Sequence, residues 1–207
     1  MARIFLIRHG QTEWNRQQIF RGRADVPLSS VGIRQAEALA RRLAGQPLAA
    51  VYCSPLSRAL ATARHLPGPL PQPADGLVDM SYGAWEGLPH DQVAAQFPDL
   101  YARWLAAPHL VRPPGGETLA EVRQRAVAAL TRIAARHQEA SVAVVSHRVV
   151  NKLLICAALG LGDDGFWRIR QDTGCLNILD SEGDRTRVIL LNDVCHLGGL
   201  EPDASDF

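Results

Sequence analysis

Two uninterrupted apolar runs in this chain each stop at a histidine. Ile4-Phe5-Leu6-Ile7 leads into Arg8-His9-Gly10, and Val142-Ala143-Val144-Val145 leads into Ser146-His147-Arg148. A run with no polar residue on either phase of a period-two pattern reads as a strand covered on both faces. In open α/β sheets ligands bind beyond the carboxyl ends of the strands. The residues at which these runs stop are cations and imidazoles, so they fall at a ligand edge. Gly10 lets backbone or ligand come close without a Cβ in the way, and Thr12 and Asn15 face the same neighbourhood.

The rest of the chain alternates helices with strands. Ser29 or Ser30 can cap a helix through Ile33, Ala36, Leu39 and Leu43, which Gly45 and Pro47 end. Residues 49–53 read as a strand that runs into Ser54-Pro55-Leu56-Ser57-Arg58. Pro55 fits the first turn of a helix over 56–66, with Arg58 in its opening turn. Residues 67–76, with four prolines, read as a surface connection before strand-like Leu77-Val78 and then Asp79. Two short helices over 90–107, split at Pro98-Asp99, and a loop to Gly116 suggest a lid over the sheet edge, spanning about 79–116. The longest helix is expected over 117–137 and another over 149–159, closed by Gly160. Residues 175–179 and 188–191 read as strands joined by a turn at Glu182-Gly183-Asp184, and the acidic end, 201–207, as frayed. The expected class is α/β: a three-layer sandwich with a mostly parallel central sheet flanked by helices, a single domain over 1–207.

Composition narrows the function. The formal net charge is +1, so nothing global attracts nucleic acid or an anionic membrane, and any anion preference is local. No apolar run is long enough to span a bilayer. The four cysteines, Cys53, Cys156, Cys175 and Cys195, form no C-x-x-C pair and no cluster of zinc spacing. With no charged-then-apolar leader either, the expectation is a reduced, cytoplasmic protein. A homodimer through an edge strand, residues 175–179 for instance, stays open.

Strand ends in one α/β sheet line up along one edge. His9 with Arg8, His147 with Arg148, Arg58 and Asp79 can therefore converge. Two imidazoles, several guanidiniums and a carboxylate suit a phosphate monoester, which carries about −1.5 to −2 charges near neutrality and which arginine grips bidentately.

On these residues the sequence resembles the histidine phosphatase superfamily, also called phosphoglycerate-mutase-like. The matching stretches are Leu6-Ile7-Arg8-His9-Gly10-Gln11-Thr12-Glu13-Trp14-Asn15, Leu28-Ser29 with Gly32 and Gln35-Ala36, and Ser54-Pro55-Leu56-Ser57-Arg58-Ala59 with Thr62-Ala63. Gly83-Ala84-Trp85-Glu86-Gly87, Gly115-Gly116-Glu117-Thr118 and Val145-Ser146-His147 continue the pattern. The resemblance implies that His9 is the nucleophile and becomes a phosphohistidine. It implies that Arg8, Arg58, His147 and Asn15 bind the phosphoryl group, and that Asp79 protonates the leaving oxygen, with no metal and no cofactor. Relatives often carry Glu at the position of Asp79, which leaves Glu86 as a fallback acid. They often carry a small residue at the position of Arg148, which here either adds a grip on a second anionic group of the substrate or points into a salt bridge. The family also points to a pocket-mouth loop at Arg21, Gly22 and Arg23 and to His196 in its Asn-Asp…His-Leu stretch. His90 is a candidate to reach the pocket from the lid, while His65, His109 and His137 read as solvent-facing.

The implied activity is hydrolysis of a small phosphorylated metabolite. Rivals are a phosphoglycerate mutase, a catalytically weak phosphate-binding regulatory protein, and a phosphoprotein phosphatase. The short lid region and the Gly83–Gly87 and Gly115–Thr118 motifs favour the phosphatase branch.

Overall fold

A computed structural model of the chain describes residues 1–182 and 185–200. Gly183 and Asp184 of the expected turn, and the acidic end 201–207, lie outside the described residues.

Strand β1 (Ala2–Arg8) sits between β4 (Ser141–Ser146), parallel to it, and β5 (Leu176–Glu182), antiparallel to it. Beyond β4 lie β2 (Leu48–Cys53) and the two-residue β3 (Gln72–Pro73), both parallel; beyond β5 lies antiparallel β6 (Arg185–Asp193). The order is β3-β2-β4-β1-β5-β6. Side chains alternate across a strand. Ile4 and Leu6 therefore join Val142 and Val144 in one cluster, while Phe5 and Ile7 join Ala143 and Val145 in another. Both faces being covered is what makes the run continuously apolar.

Helices supply the outer layers. On one face pack α6 (Leu119–Arg136) and α7 (Arg148–Ala158), through Val122, Ala126, Ile133, Val150 and Leu153. On the other pack α2 (Ser30–Arg42) and α3 (Ser57–His65), through Leu39, Ala59 and Ala63. The Ser29 hydroxyl caps α2 by accepting from Gly32 N–H at 3.1 Å. Thr118 caps α6 in a reciprocal box with Glu121. The short α1 (Glu13–Arg16), α4 (His90–Gln96) and α5 (Pro98–Ala106) complete the helices that bear on the site.

Three local expectations change. Residues 77–78 are not a strand: Asp75–Leu77 is a 3₁₀ turn. Arg125 of α6 donates to the carbonyls of Gly76, Val78 and Asp79 at 3.1, 2.6 and 3.0 Å, taking the acceptors a neighbouring strand would use. Residues 67–76 include β3, whose Pro73 is tolerated because the strand is an edge. Residues 175–179 do not supply an edge, because β1 and β6 flank β5 on both sides. The strand offered as one open route to a dimer is thus already paired on both sides.

The segment 79–116 is anchored in the main core, and its Asp79, Tyr82 and His90 line the cleft. Tyr82, Trp85, Val93, Trp104 and Val111 are all buried in the cluster that contains α6 and α7. Among the described residues no helix is long and apolar enough to cross a membrane.

Candidate active site

The loop after β1 is held from four sides. The His9 N–H donates to Ser146 O at 3.0 Å, and His9 O accepts from Gly174 N–H at 3.1 Å. Gly10 N–H donates to the Thr62 hydroxyl at 3.1 Å, and Gln11 N–H to Gln35 Oε1 at 2.8 Å. Gly10 has to be glycine for contact rather than for φ, because a Cβ there would collide with the Gly32 carbonyl at the start of α2. Gly32, Gln35 and Thr62 thus share one task, fixing the backbone that carries His9.

His9 is buried, and its Nδ1 lies 2.6 Å from the Gly10 carbonyl oxygen. A carbonyl only accepts, so Nδ1 carries the proton and Nε2 keeps its lone pair. The ring of His147 stands 5.2 Å away, centroid to centroid, at 61°. Burial, and then the guanidinium of Arg58, hold both imidazoles well below the ordinary histidine pKa. Both are therefore neutral near pH 7, and the imidazolium form that would grip a phosphoryl oxygen is favoured only by a nearby anion. Neither ring nitrogen of His147 has a hydrogen-bond partner among the described residues. Buried polar atoms are normally paired, so this imidazole keeps hydrogen-bonding capacity that an oxyanion could use.

Arg58, fully buried in the first turn of α3, donates to Ala24 O and Gly22 O at 2.8 Å each and to Asp79 Oδ2 at 3.2 Å. Burial lowers its pKa, and Asp79 opposes that fall. Asp79 lies in the loop held by Arg125. Its Oδ1 accepts Met80 N–H at 2.9 Å, and its Oδ2 is 3.6 Å from His147 Nδ1. Gly22 turns with φ 51°, which directs its carbonyl to Arg58. Arg8 donates to Gln171 O beneath the floor.

Above this floor opens a cleft whose wall includes Arg8, Asn15, Arg21, Gly22, Asp79 and Arg148. Asn15 closes the capping box of α1: its Oδ1 accepts from Thr12 N–H at 2.9 Å and from the Thr12 hydroxyl at 2.8 Å. Arg21 is half-buried, and its pKa is lowered to about 9 by burial and then by Arg8 and Arg148. Arg148 opens α7; burial raises the pKa of the Tyr82 phenol, and the charge of Arg148 opposes that rise.

The structure does not bring every expected residue to the cleft. His196 Nε2 lies 3.0 Å from Gly174 O, behind the loop, and does not line the cleft. Glu86 Oε1 accepts from Tyr82 N–H at 2.9 Å and from Arg23 N–H at 3.2 Å, so it braces the mouth loop and does not line the cleft. His137 is half-buried rather than solvent-facing, with Nε2 2.9 Å from the Tyr52 hydroxyl. His90 does line the cleft, stacked on Phe20 at 4.1 Å with Nδ1 3.2 Å from the Tyr101 hydroxyl. Burial pushes its pKa down to about 4.

Sequence reasoning favours packing over substrate contact for Tyr82, which is buried in the core and also lines the cleft; it missed Arg125 as the clamp on the Asp79 loop and the amide pair under Arg8. In that pair Gln171 Nε2 donates to Asn177 Oδ1, and Asn177 Nδ2 to Gln171 Oε1, both at 2.8 Å. The one available signal was the polar run Gln171-Asp172-Thr173 directly before a buried strand. Among the described residues no three His, Cys, Asp or Glu side chains cluster as a metal site.

Comparison with known proteins bears on this geometry. A family model described as the histidine phosphatase superfamily (branch 1) matches residues 4–194. Phosphoserine phosphatase 1 of Hydrogenobacter thermophilus is 33% identical over 207 residues, covering 99% of this chain and 98% of that one. The adenosylcobalamin/alpha-ribazole phosphatase of Escherichia coli is 32% identical over 181 residues, covering 86% of this chain and 89% of its own. Among solved structures, Bacillus stearothermophilus YhfR superposes with a TM-score of 0.91 at 33% identity, covering 95% of this chain and 100% of that one.

Proposed function

This chain belongs to the histidine phosphatase superfamily, and from that premise we propose that it hydrolyses a small phosphate monoester through a phosphohistidine on His9. The observation that carries the reading is the bond between His9 Nδ1 and Gly10 O. It fixes the tautomer and leaves Nε2 as a neutral, unprotonated nucleophile beside Arg8, Arg58 and His147.

The reaction divides into two displacements. In the first, His9 Nε2 attacks phosphorus, the P–N bond forms and the ester P–O bond breaks. The departing alkoxide takes a proton from the Asp79 carboxyl. Arg8, Arg58 and His147 hold the equatorial oxygens, where charge spreads during transfer. In the second, a water gives its proton to the Asp79 carboxylate as its oxygen attacks phosphorus, and the P–N bond breaks. Inorganic phosphate leaves and His9 returns to its neutral state. No step calls on a group beyond these side chains.

The relatives named above are phosphatases of phosphoserine and of alpha-ribazole phosphate by their names, which supports hydrolysis over the mutase alternative. A reduced compartment fits four free cysteines, three of them buried apart; the working location in this reading is the cytoplasm.

The test is hydrolysis of phenyl phosphate with EDTA present, comparing wild type with His9→Ala, together with trapping of the phosphoenzyme by rapid quench into alkaline denaturant. EDTA-resistant turnover and an acid-labile, base-stable phosphoryl label, both absent from His9→Ala, are expected. Full activity in His9→Ala would sink the assignment.

A further inference from the structure

Asn177 interrupts the apolar run Cys175-Leu176-Asn177-Ile178-Leu179, and it lies wholly buried in β5. A buried amide left unpaired is costly, yet this one is fully used. Its Nδ2 donates to Leu6 O at 2.9 Å and to Gln171 Oε1 at 2.8 Å. Its Oδ1 accepts from Gln171 Nε2 and from Asn192 N–H, both at 2.8 Å. Two donations and two acceptances exhaust a side-chain amide. Leu6 is the register partner of Asn177 on β1, the strand that ends at Arg8.

Asn192 reaches Asn177 because β6 bulges there. Leu176 pairs with Asp193 and Ile178 with Leu190, so two residues of β6 face one of β5. Asn192 takes φ 51° at this bulge, a conformation Asn tolerates better than most side chains. Its side chain then turns to the loop before β5: Oδ1 accepts Asp172 N–H at 2.8 Å, and Nδ2 donates to Asp172 Oδ2 at 2.7 Å.

The two asparagines therefore grip Gln171 and Asp172, the start of the loop that holds the end of β1. Gln171 O accepts from the Arg8 guanidinium. Cys175 O accepts Arg8 N–H at 3.2 Å, and Gly174 N–H donates to His9 O at 3.1 Å. Neither asparagine lines the cleft. A closed chain of bonds runs from Leu6 through Asn177 to Gln171 and back to Arg8, so the guanidinium is referenced to the same strand that delivers His9.

We infer that Asn177 is a positioning residue for the phosphoryl site, with Asn192 as its support: together they fix the Gln171 carbonyl, and through it the Arg8 guanidinium, where it meets the equatorial oxygens of the transferring group. This rests on the phosphomonoesterase reading above. A guanidinium displaced by a fraction of an ångström still attracts a ground-state phosphate but serves the transition state less well, so the loss falls on kcat.

The test is a double-mutant cycle with Arg8. Asn177→Ala and Asn192→Gly, the latter keeping the positive φ while deleting the side chain, are assayed on phenyl phosphate with EDTA, per folded molecule, in the wild-type and Arg8→Met backgrounds. Asn177→Ala is expected to lower kcat about 30-fold with KM changed by less than about threefold, and Asn192→Gly to lower kcat about fivefold. In the Arg8→Met background both losses are expected to shrink below about twofold, because residues that act through one partner are not additive. Leu179→Ala removes apolar packing from the same strand; it is expected to lower the urea midpoint and to keep kcat per folded molecule within about twofold of wild type. Should Asn177→Ala fail to fold, Asn192→Gly carries the same cycle. Asparagine variants that behave as Leu179→Ala does, or that lose as much without Arg8 as with it, overturn the positioning role and leave the phosphatase reading standing. A wild type that hydrolyses no phosphate ester overturns both.

Discussion

The Thr62 hydroxyl joins the two halves of the site: it accepts the Gly10 N–H at 3.1 Å and donates to the Arg58 carbonyl at 2.8 Å. One side chain on α3 thus ties the loop of the proposed nucleophile to the helix turn that carries Arg58, the proposed phosphate-binding arginine. The relative placement of His9 and Arg58, which come from different strand ends, does not depend on the sheet alone.

Thr62→Val keeps the shape and removes both bonds. A buried N–H left without a partner costs about 1–3 kcal/mol. The expected result is a destabilised protein in urea melts, with kcat for phenyl phosphate lowered about tenfold or more as His9 and Arg58 lose their common reference. Thr62→Ser restores the hydroxyl and is expected to recover most of both. If Thr62→Val matched wild type in stability and kcat, the hydroxyl would have no part in positioning the site.

The role given to Asp79 depends on the leaving group. Asp79→Asn leaves a side chain of the same size that cannot donate the proton. General acid catalysis is worth roughly 10²–10⁴-fold, and it matters most when the alkoxide is a poor leaving group. We expect kcat for an alkyl phosphate to fall by about 10²-fold or more and for p-nitrophenyl phosphate by far less. Equal losses on both esters would show that Asp79 serves Arg58 and not the departing oxygen.

How legible this was in the sequence depended on range. The run Ile4–Ile7 announced a central strand because burial on both faces leaves a local mark, and the polar stops at His9 and His147 announced the ligand edge. Asp79 was also found, but by the wrong route. It is delivered by a loop whose carbonyls Arg125 holds from 46 or more residues away, a contact no local pattern encodes. Tyr82 and His90 reach the cleft through packing on Phe20, again a tertiary matter. Residues 175–179 looked like any short apolar strand, and only the sheet order shows that the strand they enter has neighbours on both sides.

Acid should weaken the fold through the same histidines. In the unfolded chain histidine titrates near pH 6.5. In the folded protein burial lowers the pKa of His90 to about 4 and holds His9 and His147 well below 6.5. Below pH 6.5 the unfolded state therefore binds protons that the folded state refuses, and stability falls as pH drops. For His90 alone the loss between pH 6.5 and 5.5 is about 1 kcal/mol. Urea midpoints at the two pH values measure it. His90→Phe, which keeps the stack on Phe20, is expected to flatten the dependence by that amount, separating it from carboxylates that titrate in the same direction.

Ligand binding should reverse that proton balance. His9 and His147 are neutral near pH 7 because burial and the surrounding guanidiniums oppose their charge. A bound dianion adds the opposite charge next to His147, whose ring nitrogens have no partner among the described residues. Its pKa must rise, because a nearby negative charge favours the imidazolium. Between the empty-state and bound-state values, binding then draws a proton from solution. Titration calorimetry with inorganic phosphate or vanadate at pH 6.5–7, in buffers of different ionisation enthalpy, is expected to show an uptake approaching about one proton per site after correction for the ligand's own ionisation. His147→Gln is expected to abolish most of that uptake while still binding the anion more weakly. Proton release, or an uptake unchanged in His147→Gln, would mean that His147 stays neutral throughout and that the arginines alone hold the phosphoryl oxygens.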